Sequence, residues 1–307
     1  MSFSSDTKAE LCREKLSRSC CAQAEAYGAL LFCNAFTPQE IRITTQSADV
    51  AQRLPRLFRK AFGVKFDCLP EAIVAGHKMT FRMTEPAAIR TVLDAYGYSP
   101  ETAVALHINY AALEKDCCKA AFFRGAFLVG GSVTDPAKRY HLELSTSHLA
   151  VHRELQALAP ELNLSPRETR RKASYLTYFK QSDAIADFLT TIGAPVAAME
   201  VMNAKLEKNL VNGVNRQYNC DVANVEKAVA AAQEQIAAIR RLEERGILPH
   251  LSDKLRETAR LRVEHPELSL SELAALCVPP VSKSCLNHRL RKLTELAQEP
   301  GQSGGTP

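Results

Sequence analysis

"AFFRGAFLVGGSV", residues 121–133, is an apolar run that keeps Gly125 inside it and ends on Gly130 and Gly131. An interior glycine costs a helix roughly 1 kcal/mol against alanine. Close approach of a second backbone is the usual compensation, so the stretch predicts a helix that meets a partner at Gly125. A partner lies upstream: in "EAYGALLFCNAF", residues 25–36, Gly28 falls on Gly125 and the small and apolar residues after it match.

The correspondence runs on. "IRITTQSADVAQRL" (41–54) lies over "HLELSTSHLAVHREL" (141–155), with Leu54 on Leu155. "EPAAIRTVLDAYG" (85–97) lies over "SDAIADFLTTIG" (182–193), with Ile89 on Ile185 and Gly97 on Gly193. One unit is used twice, and a repeat decides the architecture. Inside each copy a glycine helix is followed by alternating strands, such as Ile41 and Ile43 or Tyr140, Leu142 and Leu144. A helix comes next (48–62 or 147–159), then another strand pair and a last helix closing at Gly97 or Gly193. In "HKMTFRMT" (77–84), Met79, Phe81 and Met83 share one face and Lys78, Thr80 and Arg82 the other. The predicted order is αββαββα.

A small-residue helix at the head of each such copy resembles the LAGLIDADG homing endonucleases. The resemblance implies two signature helices packed across a pseudo-twofold axis, with Gly28 and Gly125 where the backbones meet. In that family the last acidic residue of each signature helix holds a divalent metal that activates water against a phosphodiester. Alignment on the glycines puts Cys33 and Gly130 at those positions, and neither offers a hard oxygen ligand. Asp135 sits in "TDPAK", which reads as a turn, and the first copy has no acid before Glu40. No catalytic residue, metal site or nuclease activity is therefore expected.

After about Val201 the pattern becomes helical. "VANVEKAVAAAQEQIAAIRRL" (222–242) sets Val222, Val225, Val229, Ile236 and Ile239 on one stripe, stopped by Gly246 and Pro249. A second helix follows in 251–266, its apolar side ending at Arg262. Ser269 and Glu272 make a capping box, so a short helix begins there and cannot pass Pro279 and Pro280. Ser282 is an N-cap for a longer helix with a Leu286, Leu290, Leu293 and Ala297 stripe. A short helix, a tight turn and a longer helix make a helix-turn-helix.

The face away from that stripe carries Ser282, Lys283, Ser284, Asn287, Arg291 and Lys292, with His288 and Arg289 on its flanks. Lysine and arginine can neutralise phosphate or bond guanine, asparagine can pair with adenine, and the N-terminal end of such a helix enters the major groove. These eight residues are the expected DNA-binding set. Arg167, Arg170, Arg171 and Lys172 in "SPRETRRKAS", read as a charged loop, are expected secondary DNA contacts. The alternate strand face of the repeats (Arg42, Thr44, Lys78, Thr80, Arg82, His141, Glu143, Ser145) is mildly basic and interrupted by Glu143, and reads as solvated surface before it reads as a binding face.

"CCKAAFFRGAFLVGGSVTDPAKRYHLE" (117–143), "NRQYNCDVANVEKAV" (215–229) and "PPVSKSCLNHRLRKL" (279–293) together resemble the WhiA family of Gram-positive transcription regulators. That family joins a degenerate LAGLIDADG-like domain to a C-terminal helix-turn-helix. The resemblance implies binding to promoters in double-stranded DNA, and a role in cell division, chromosome segregation or, where the organism sporulates, sporulation. RNA polymerase or another transcription factor is the implied protein partner. Two other classes stay open: a protein-binding scaffold for division and an active endonuclease. The polar group Asn215, Arg216, Asn219, Asp221 and Asn224 reads as either a domain-orienting or a DNA-touching patch.

The remaining composition narrows the field. No apolar run approaches the roughly 20 residues of a membrane span, and the charged start "MSFSSDTKAELCREKL" is unlike a signal peptide. A cytoplasmic, nucleoid-associated protein with no membrane partner is expected. The net charge of +5 is too small to argue nucleic acid unaided. Ten cysteines include the adjacent pairs Cys20-Cys21 and Cys117-Cys118 but no C-x-x-C, so they read as reduced core residues. His148 and His152, four apart, lack H-E-x-x-H and a third ligand, and read as surface histidines. No phosphate loop is present and no cofactor is implied.

The expected fold class is thus α+β, two tandem αββαββα LAGLIDADG-like repeats with paired core helices followed by an all-α helix-turn-helix domain. Its divisions are a helical lead-in over 1–20, repeats over 21–98 and 99–200, a linker over 201–222, the helix-turn-helix domain over 223–299 and a disordered tail over 300–307.

Overall fold

A computed structural model of the chain describes residues 2–99 and 106–298; the tail expected over 300–307 lies outside them. The chain divides into two compact units, Met1–Asn209 and Leu210–Pro307.

The first unit is organised around the crossing of α2 (Ser19–Leu31) and α5 (Asp116–Gly130). Both helices are buried along most of their length, so the contact must be made by small residues. A Cβ on Gly28 would stand 2.0 Å from the Phe122 carbonyl oxygen, and one on Gly125 would stand 1.9 Å from that of Glu25. Only hydrogen fits at either position, and the glycine cost is offset by main chain packed on main chain. The crossing is pseudo-symmetric, since Gly28 faces Phe122 and Ala126 as Gly125 faces Glu25 and Ala29.

Each helix leads into an antiparallel sheet. In the first copy β1 (Ala35–Phe36), β2 (Ile41–Thr45) and β3 (Met79–Met83) pair in that order, with Ile43 opposite Phe81. In the second, β4 (Gly131–Val133), β5 (Leu142–Thr146), β6 (Arg167–Arg171) and β7 (Ser174–Phe179) pair in the order β4-β5-β7-β6. The second copy thus carries both strand pairs. In the first copy the strand equivalent to β6 is reduced to one bridge, Cys68 with Arg82.

Between the strand pairs lie α3 (Ala48–Phe62) and α6 (Leu149–Leu158), and α4 (Pro86–Asp94) and α7 (Ser182–Ile192) close the copies. Ser47 caps α3 through its hydroxyl, and Gly63 ends it in the left-handed region at φ 76°. The lead-in helix α1 (Phe3–Arg13) packs on this unit, with Leu11 in its core. One core of aromatic side chains, including Tyr27, Phe122, Phe127 and Phe188, serves both copies. Within it Glu25 of α2 is held by Arg53 and Arg124, at 2.6 and 3.3 Å.

Residues 201–222, expected as a linker, are helical. They belong to α8 (Pro195–Glu244), which places Ala197, Ala198 and Val201 in the first unit's core and Ala238, Ile239 and Leu242 in the second's. Val222, Val225 and Val229, read as the buried stripe of an amphipathic helix, are exposed. Burial on α8 in the second unit starts only near Ala232 and Ala238. Asn215, Arg216, Asn219, Asp221 and Asn224 also lie exposed on this helix.

Candidate nucleic-acid interface

The second unit's core is made by the end of α8 with α9 (Asp253–Glu264), α10 (Leu270–Leu276) and α11 (Lys283–Gln298). Gly246, at φ 67°, ends α8 in the left-handed conformation. Arg262, expected to mark the edge of the apolar side of α9, is instead buried, and its Nη1 donates to the Leu268 carbonyl at 3.0 Å. That bond holds the loop just before α10. Burial pulls the Arg262 guanidinium below its ordinary pKa.

The start of α10 is a complete capping box: the Ser269 hydroxyl accepts from the Glu272 amide, and the Glu272 carboxylate accepts from the Ser269 amide at 2.9 Å. These bonds hold the Glu272 carboxyl below the usual range. The turn to α11 is pinned at both ends. The Val278 amide donates to Glu257 on α9 at 2.9 Å, and the Val281 amide donates to the Ala274 carbonyl at 3.0 Å.

Ser282 caps α11, its hydroxyl accepting from the Cys285 amide at 3.2 Å. Leu286, Leu290, Leu293 and Ala297 are buried against α9 and α10, as their spacing requires. That fixes the rotation of α11 about its axis. Lys283, Ser284, Asn287, His288, Arg291 and Lys292 then lie together on the exposed side with Ser282. Arg289 is half-buried at the margin, with Nη1 enclosed and without a hydrogen-bond partner among the described residues. Arg291 is paired with Glu295 at 2.8 Å.

The basic run of the second repeat is not the loop expected. Arg167, Arg170 and Arg171 stand on β6, exposed throughout, and Lys172 occupies the hairpin turn at φ 55°. Arg170 lies 5.4 Å over the Tyr175 ring, and Arg171 reaches Glu143 at 3.3 Å. On the alternate face of the first sheet Arg82 and Arg42 approach Glu40, at 2.7 and 3.9 Å. His141 contacts Glu143 at 2.9 Å. Arg42, Arg82 and Arg171 on the repeat sheets are thus opposed locally by carboxylates, whereas on α11 Glu295 opposes Arg291, and Lys283 and Lys292 stand exposed with Ser284, Asn287 and His288.

His152, expected at the surface, is buried; its ring nitrogens meet Thr177 at 3.1 Å and Glu168 at 3.2 Å. His148 is the N-cap residue of α6 rather than a helix-face residue, and burial lowers its pKa. At the signature-helix ends, the Cys33 thiol donates to the Ala35 carbonyl, and burial pushes its pKa up to about 12. A Cβ on Gly130 would meet the Phe32 ring at 2.7 Å and the Ser145 carbonyl oxygen at 2.9 Å, so this position has no room for a carboxylate side chain.

Comparison with known proteins matches residues 119–210 to a WhiA LAGLIDADG-like domain and residues 214–297 to a WhiA C-terminal HTH domain. The "Probable cell division protein WhiA" of Ruminiclostridium cellulolyticum is 37% identical over 308 residues, covering 97% of each chain. The chain belongs to the WhiA family. The WhiA relative of Alkaliphilus metalliredigens, also named a probable cell division protein, is 36% identical and covers 99% of this chain and 100% of its own. The crystal structure titled full-length DUF199/WhiA from Thermatoga maritima aligns with a TM-score of 0.59 at 22% identity, over 98% of this chain and 100% of that one. It supports the WhiA fold, a LAGLIDADG-like domain followed by a helical HTH region. Among the described residues no helix is long and apolar enough to cross a membrane.

Proposed function

We propose that this WhiA-family chain is a sequence-specific DNA-binding transcription regulator, without nuclease activity, that acts at promoters of genes for division, chromosome segregation or sporulation. The observation that carries the reading is the exposed face of α11, where Lys283, Ser284, Asn287, His288, Arg291 and Lys292 project from a helix whose rotation is fixed by its buried leucines. Phosphate neutralisation by the cations supplies affinity, and Asn287 with the N-terminal side chains supplies base contacts. Arg289 supports from the margin. Arg167, Arg170, Arg171 and Lys172 contribute secondary phosphate contacts once their local partners give way. The protein works in the cytoplasm on the nucleoid, with RNA polymerase or another transcription factor as its protein partner. The crowded Gly130 and the thiol of Cys33 support the non-nuclease reading, because a two-carboxylate metal grip has no place at either helix end.

The test is titration of the intact protein onto promoter duplex at several salt concentrations. Affinity should fall linearly on a log-log plot as salt rises, and Lys283→Ala with Arg291→Ala should weaken it. Binding that ignores salt and both substitutions would instead favour a protein scaffold. Duplex incubated with Mg²⁺ or Mn²⁺ should remain uncut.

A further inference from the structure

The adjacent cysteine pairs carry no motif along the chain, but the repeat brings them together. Cys20 and Cys21 stand in the first turn of α2, and Cys117 and Cys118 in the first turn of α5. The spacing from Cys20 to Cys117 is the spacing from Gly28 to Gly125. The pseudo-twofold that crosses the glycines therefore also sets one pair against the other. All four sulfur atoms lie within 4.8 Å of one another, and all four are thiols. Cys118 is buried and the other three are half-buried.

We propose that Cys20, Cys21, Cys117 and Cys118 form a tetrathiolate site for a single zinc-class divalent ion that staples the heads of the two signature helices. A tetrahedral Zn–S₄ centre with Zn–S near 2.3 Å holds its sulfurs about 3.8 Å apart. The observed spread closes to that by side-chain adjustment. An iron–sulfur cluster, with bridging sulfides between its irons, needs its cysteines further apart.

Helix polarity also suits the site to thiolates. Among the described residues neither α2 nor α5 has a side-chain hydrogen bond capping its N-terminus, so the positive ends of both helices lie at the sulfurs, and Asp116 in the first turn of α5 is exposed and paired with Lys119 at 3.2 Å. Thiolates are the species that ligate such an ion, so binding would release the thiol protons to solvent.

The site is at the opposite end of the helix pair from Cys33 and Gly130, about 20 Å along α2 at 1.5 Å per residue. It is distinct from the position where a nuclease of this fold would hold metal, and its role is to join the copies.

The test uses the full chain, reduced and stripped by chelator under anaerobic conditions, then titrated with Co²⁺. One ion per chain is expected, with sulfur-to-cobalt charge transfer and tetrahedral d–d bands, displaced by Zn²⁺. Cys20→Ser with Cys117→Ser, one ligand from each copy, should weaken binding at least 100-fold. Thiol labelling of the unmodified chain gives a second readout independent of whether that variant folds. Zn²⁺ should protect four thiols from reagent and chelator should release them. Absence of both binding and protection, Co²⁺ binding unchanged in a folded double variant, or recovery of iron with inorganic sulfide would each overturn the proposal.

Discussion

Arg291 Nε sits 2.8 Å from the Glu295 carboxylate, one turn apart on the exposed side of α11. An exposed pair of this kind contributes about 0.2–1 kcal/mol, so a phosphate can take the arginine from the glutamate at little cost. Glu295→Gln is therefore expected to tighten DNA binding severalfold and to steepen its salt dependence. Lys283→Ala with Lys292→Ala should flatten the salt slope by about two phosphates' worth. Fluorescence anisotropy across a salt series measures all three proteins. A Glu295→Gln variant indistinguishable from the parent would show that this part of α11 faces away from the duplex.

The glycine crossing can be tested against an internal control. Gly125→Ala and Gly28→Ala each drive a methyl into a carbonyl oxygen of the facing helix, at 1.9 and 2.0 Å, and backbone cannot step aside as a side chain can. Both are expected to abolish soluble folded protein or lower Tm by more than 10 °C, on the order of several kcal/mol. Gly213→Ala, on α8 with open space around it, should instead leave stability unchanged or raise it by up to about 1 kcal/mol. Thermal melts of the three variants decide the matter.

Arg53 grips both carboxylate oxygens of Glu25, at 2.6 and 2.8 Å, and its Nη1 also reaches the carbonyls of Cys12 and Glu14. Burial works against the charge on Arg53, but Glu25 more than compensates and its pKa is raised. Arg53→Ala leaves a carboxylate in the core without its main partner and should cost about 3–5 kcal/mol in urea unfolding. Glu25→Leu with Arg53→Met should cost much less than the sum of the single changes. Additive costs would mean the pair is not coupled.

Acid should loosen the start of α4 before the rest of the first repeat. Burial works to raise the Asp67 pKa, but hydrogen bonds from the Thr84 hydroxyl and the amides of Thr84, Asp67 itself and Glu85 together outweigh it, and the net shift is downward. A depressed carboxyl stabilises the fold fully above its unfolded pKa, near 4, and loses that contribution as pH falls through the lower folded value. Amide exchange in residues 84–94 should therefore accelerate in that acid window, and Asp67→Asn should remove the pH dependence. An Asp67 carboxyl that titrates by NMR at its ordinary value would contradict this.

Much of the architecture was legible because it rests on local chemistry. Gly28 and Gly125 marked the crossing, alternation at Met79, Phe81 and Met83 marked a strand, and Ser269 with Glu272 marked the start of α10. What escaped depends on residues distant in sequence. Arg262 and His152 look like surface residues until the Leu268 carbonyl and Thr177 are found beside them. The arginines of β6 look like a loop because an edge strand with every side chain exposed leaves no apolar alternation. Val222, Val225 and Val229 have helical spacing and form helix, but spacing alone does not supply something to cover them. The α11 face was readable because its buried leucines and exposed cations lie on the same sixteen-residue helix.

The crossing repeats its backbone but not its charge. The seat taken by Glu25 in the first copy is held by Phe122 in the second, and Arg124, which leans on Glu25, has Tyr27 as its counterpart. Two first halves joined to each other would bury a second carboxylate and forfeit Arg124; two second halves would have no acid for Arg124 to meet. Each half is thus shaped to its unlike sibling, so a duplication that began between equals has become a marriage that neither partner can contract with itself.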